Sequence, residues 1–102
     1  MALKHWIFLY VADGLAPEGQ VHHVTNDAST SVLAGFPNTT AAIQSCLSGS
    51  LASAFETTQL VECCGAFSHA DVVALRTAQP ATPVGIVSYS GEMTTELHSI
   101  FS

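Results

Sequence analysis

Charge is what this chain has least of. Charged residues make up 10% of its 102 positions, against roughly 25% in an average soluble domain. Only two of them are cations, Lys4 and Arg76, and the formal net charge is −6. A nucleic-acid surface neutralises several phosphates with Lys and Arg, so nucleic-acid binding is excluded as a function class. Adhesion to an anionic membrane surface is excluded for the same reason. Apolar residues reach 48%, and a domain this small has much surface to cover. The excess must be buried against another subunit or must line an open pocket. A homodimer or higher homo-oligomer is the simplest expectation.

Other absences narrow the field. Cys46, Cys63 and Cys64 are odd in number and two are adjacent, which does not suggest a disulfide framework and fits a reducing, cytoplasmic setting. The early apolar run from Trp6 to Ala12 is too short to span a bilayer and lacks the small-residue cleavage pattern of a signal peptide. There is no glycine-rich phosphate or dinucleotide loop, no paired-cysteine zinc spacing, no His-Glu-x-x-His and no Gly-x-Ser-x-Gly elbow. Neither a metal nor an organic cofactor is therefore expected.

What is present reads as a single α/β domain over residues 1–102. His5 to Val11 is continuously apolar and aromatic, the mark of a strand covered on both faces. Turn residues Asp13 to Gly19 follow, and residues 20–35 read as a hairpin or irregular pair around Asn26-Asp27. Asn38 is a candidate N-cap for a helix whose apolar stripe runs Ile43, Cys46, Leu47, Leu51, Ala54 and Phe55, with Gly49 a point of kinking or close packing. Leu60 to Cys64 is a fourth strand, and Ser68 to Asp71 is a capping-box variant opening a helix through Gln79. Val84 to Tyr89 reads as a fifth strand, and Met93, Leu97, Ile100 and Phe101 stripe a last helix. The order β-β-β-α-β-α-β-α predicts a mostly parallel sheet with flanking helices.

The segment Val61-Glu62-Cys63-Cys64-Gly65-Ala66-Phe67, with Lys4 to Tyr10 and Thr82 to Val87, resembles a family of α/β domains of unknown function and about this length. The family's turn reads Glu-Leu-Cys-Gly-Gly-Phe, so Glu62, Cys64, Gly65 and Phe67 match, while Cys63 replaces Leu and Ala66 replaces Gly. The resemblance implies a fold and carries no activity.

In parallel sheets, ligands collect at the carboxyl ends of strands, which places a candidate site around this same turn. Glu62 stands among apolar neighbours and is the candidate proton-transfer group; an edge-strand carboxylate is the plainer alternative. Cys64 is a candidate nucleophile at the strand end, against the common case of a cysteine that simply packs. His22 and His23 are candidate acid/base groups whose side chains must diverge on a strand. His69, Tyr89, Phe67 and Asn38 complete the set as substrate-binding residues, although capping is the default role of Asn38 and packing that of Tyr89. The reading that follows is a cofactor-free isomerase, cyclase or lyase acting on an apolar small molecule. The alternatives are a non-catalytic binding module and a structural oligomerisation domain.

Overall fold

The computed structural model describes residues 3–87. Tyr89, the last helix and the end of the fifth strand lie outside the described residues. Strands β1 (His5–Val11), β2 (Gln20–Thr25), β3 (Thr30–Phe36), β4 (Leu60–Cys63) and β5 (Val84–Ile86) form one sheet in the order β2-β3-β1-β4-β5. Every neighbouring pair is parallel except β2 with β3. The sheet is thus mixed, with its antiparallel hairpin at one edge. Helices α1 (Thr39–Ser48) and α2 (Ala52–Thr57) connect β3 to β4, and α3 (His69–Ala78) connects β4 to β5.

Both helical connections move across the sheet in the same direction. The right-handed rule for such crossovers therefore puts their helices on one face. The packing agrees: α1 lies against both α3 and β3. On this covered face Ile7 and Leu9 of β1, Val32, Ala34 and Phe36 of β3, and Val61 and Cys63 of β4 meet Ala42, Cys46, Leu51, Phe55 and Leu75 in one buried cluster. Because strand side chains alternate, Trp6, Phe8, Tyr10, Leu33, Leu60 and Glu62 point to the opposite face. All six are half-buried, and none of the described helices lies over them.

The expected single helix over residues 38–55 is instead two. Asn38 caps α1, its Oδ1 accepting from the Ala41 N–H at 2.8 Å. The helix then stops at Gly49, whose N–H still reaches the Ser45 carbonyl. Ser45 makes the break. Its buried hydroxyl accepts from the Leu51 N–H at 3.2 Å and bonds the Ser50 hydroxyl at 2.8 Å, satisfying groups that a continuous helix would have used internally. α3 begins as the sequence predicts, with the Ser68 and Asp71 capping box formed in both directions.

The loop between β1 and β2 is locked by Gly19, at φ +83°. A Cβ on it would stand 2.7 Å from Phe36 Cδ1 and 2.9 Å from the Gly35 carbonyl oxygen. Gly14 shares the left-handed backbone, at φ +85°, with open space around it. Alanine at Gly14 should therefore cost only the backbone penalty of about 1–2 kcal/mol. Alanine at Gly19 should cost at least about 1 kcal/mol more, because Phe36 must shift. Paired urea titrations of the two variants read the difference directly.

Candidate functional site

Glu62 sits within β4, on the face of the sheet that the described helices leave open. Cross-strand register puts it in a row with Phe8 on β1, Leu33 on β3, His22 on β2 and Gly85 on β5. Its carboxylate lies over Gly85, where a Cβ would come within 3.3 Å of Oε2. The glycine opens the space that the carboxylate occupies. Tyr10 does the same on the other flank, its ring lying across Gly35, where an added Cβ would be 2.7 Å from the hydroxyl oxygen. The face is thus aromatic and aliphatic around one carboxylate.

The histidines part company. His22 shares the open face with Glu62 but stands three strands away, which at about 4.8 Å per strand is roughly 14 Å. His23 points to the covered side, where it lines a cavity of about 270 Å³ at the amino ends of β1 and β3. Glu62 therefore has no imidazole beside it in its own row.

The other candidates divide between packing and surface. Phe67 is buried in the main core, 4% exposed, so its ring fills space beneath the turn. The Asn38 carbonyl oxygen is engaged in its cap. His69 is the exposed first residue of α3. Cys64 is half-buried at the margin of the core, and its N–H extends the ladder by donating to the Leu9 carbonyl at 2.9 Å. Tyr89 lies outside the described residues. Among the described residues no cluster of His, Cys, Asp and Glu could hold a metal ion, and no helix is long and apolar enough to cross a membrane.

The three cysteines are free thiols. Burial pushes the Cys46 thiol from its ordinary 9.0 up to about 12. Burial, reinforced by repulsion from Cys46, Cys64, Glu62 and Asp71, pushes Cys63 up to about 12 as well. Both are inert packing groups at neutral pH. Above pH 9 the unfolded chain loses these protons while the folded chain keeps them, so stability must fall as pH rises toward 12. At about pH 10 each buried thiol should cost about 1–1.5 kcal/mol. Denaturant titrations of the protein and of a Cys46→Ala, Cys63→Ala variant isolate this slope, which the variant should lack.

His5 carries no signal in the sequence that marks it as a site residue. It heads β1 and lines the amino-end cavity with His23, Thr30, Ser53 and Thr57. Four separate segments build that cavity, so no local spacing announces it.

No curated protein and no solved structure matches the chain. A family model does, over residues 4–102, and the chain belongs to that family, DUF6506, a family of unknown function.

Proposed function

We propose that the open face of the sheet is where this protein acts. An apolar small molecule lies against Phe8 and Leu33, and Glu62 moves a proton on it, without a cofactor, in a reaction of isomerase, cyclase or lyase type. One observation carries the reading: a half-buried carboxylate beside Phe8 on the adjacent strand, with a glycine on its other side. A positioned carboxylate is a common proton-transfer group, and Gly85 lets this one lie flat across β5 beside the apolar surface of Phe8 and Leu33. A second reading, non-catalytic binding by the same face, is favoured by the separation of Glu62 from His22. Among the described residues, that distance leaves no imidazole beside Glu62.

The acting unit in this proposal is a cytoplasmic homodimer. Two open faces set against each other would bury their apolar rows and shield a ligand held at the edge of the contact. Val24 lies at the corner of that face and is 50% exposed, so a charge there should spare the fold. The protein should sediment as a dimer at micromolar concentration, and Val24→Lys should weaken the dimer at least about tenfold, in line with a buried charge at an interface. A wild-type monomer at that concentration removes the dimer.

The chemistry is tested by isotope exchange. In deuterated water, with pools of small apolar carbonyl compounds, the protein should exchange a carbon-bound hydrogen for deuterium and Glu62→Gln should not. Saturable shifts of the Phe8 and Glu62 amide signals without exchange select the second reading. No saturable shift with any pool removes both.

A further inference from the structure

The amino-end cavity lies on the opposite end of the sheet from Cys64 and is independent of Glu62. Its floor is Ile7, Val32 and Leu51, and its rim carries His5, His23 and Ser53. We infer that this cavity is a binding site for an uncharged small molecule that has an apolar body and one hydrogen-bonding group.

Size comes first. About 270 Å³ is close to the lower bound of small-molecule pockets, and at about 30 Å³ for each water displaced it admits roughly nine non-hydrogen atoms. The walls are fixed rather than accidental. The Gln59 side-chain oxygen accepts from the Lys4 and His5 N–H groups at 2.6 and 2.9 Å, tying the start of β1 to the approach of β4. Four lining hydroxyls are already engaged, those of Thr30 with Thr25 and of Thr57 with the Ala54 carbonyl among them. Thr58 Oγ1 donates to the Leu60 carbonyl at 2.9 Å, and the Ser50 hydroxyl bonds that of Ser45 at 2.8 Å. Polar groups remain on the rim at His5, His23 and Ser53, where imidazole and hydroxyl offer both donors and acceptors.

Charge then selects the ligand class. Among the described residues no Asp, Glu, Lys or Arg lines the cavity. A cation entering it would lose hydration without gaining a carboxylate, and an anion would gain no ammonium or guanidinium. In a chain of net charge −6, this is a local environment suited to a neutral guest.

The test uses three probes of matched shape: benzyl alcohol, benzoate and benzylammonium. Each is titrated into the ¹⁵N-labelled full chain while the amide signals of His5, His23 and Ser53 are followed. Benzyl alcohol should shift them saturably, with a millimolar Kd fitting so small a ligand. The two ions should bind at least about tenfold more weakly. Ser53→Phe, at an exposed position on the mouth, should abolish the saturable shifts, and His23→Ala should weaken them at least about threefold. Benzoate or benzylammonium binding as tightly as benzyl alcohol overturns the selection for a neutral ligand. Non-saturating shifts up to the solubility limit, or binding unchanged in both folded variants, overturn the site itself.

Discussion

Phe36→Ala should destabilise this protein by about 3–5 kcal/mol, the usual cost of deleting a large aromatic from a packed core. Phe36 is fully buried and is the largest of the completely sealed side chains among the described residues. Three constraints converge on it. It ends β3, where its carbonyl accepts from the Ala12 N–H at 3.0 Å. It pairs in register with Val11. Its ring also lies beneath Gly19 in the loop that leads to β2, so the void would open where strand, loop and helix entry meet. Pro37 and the Asn38 cap follow immediately and hold the backbone in place, which limits collapse into the cavity. A domain of this size holds about 5–15 kcal/mol in all, so the loss should lower Tm by more than 10 °C. Phe36→Leu, which keeps most of the volume, should lose less than half as much. A thermal melt of the two variants reads both values, and a Phe36→Ala midpoint within a few degrees of wild type would show that this junction repacks freely.

The fold was legible where hydrophobic period and punctuation agree. The run from His5 to Val11 is apolar or aromatic at every position, and β1 sits at the centre of the sheet with parallel neighbours on both sides, although the described helices cover one of its faces rather than the two expected. Asn26-Asp27 marked the turn of the edge hairpin, and the Asn26 side chain accepts from the Ala28 and Ser29 N–H groups there. The Ser68–Asp71 box fixed the start of α3. The break between α1 and α2 was not legible in the same way. A glycine within an apolar stripe is compatible with a kinked helix, and the termination depends on a buried hydroxyl at Ser45 that bonds partners five and six residues on.

The candidate site was legible only residue by residue. Alternation along a strand predicts that His22 and His23 diverge, and they do: one lies on each face. It cannot say which strand lies next to which, so it could not show that β3 and β1 stand between His22 and Glu62. The amino-end cavity was invisible for a related reason. His5 and His23 are eighteen positions apart by sequence number, and only the placement of β3 between their strands brings them to one rim. The same alternation puts Cys63, next after Glu62, into the covered core.

Glu62→Gln should separate a working carboxylate from a structural one, and it carries the largest expected effect on activity. The substitution keeps size and shape and removes the ionisable group. Glu62 is half-buried, flanked on its own face by Phe8 and Leu60, and its carboxylate rests over Gly85. Among the described residues no cation or backbone donor holds it, so glutamine forfeits no internal bond there. With no hydrogen bond or ion pair to lose among the described residues, stability near neutral pH should hold. Turnover on the substrate identified by isotope exchange should fall by about 10²–10⁴-fold, the range for losing a positioned general acid or base. The loss should fall mainly on kcat, because glutamine still fills the space against which the ligand packs. Glu62→Ala should lose activity to the same degree and bind the ligand more weakly as well. The decisive pair of measurements is a denaturant titration and a kcat on the same Glu62→Gln preparation. Lower stability with unchanged kcat would make Glu62 a structural anchor and return the open face to a surface for binding or assembly alone.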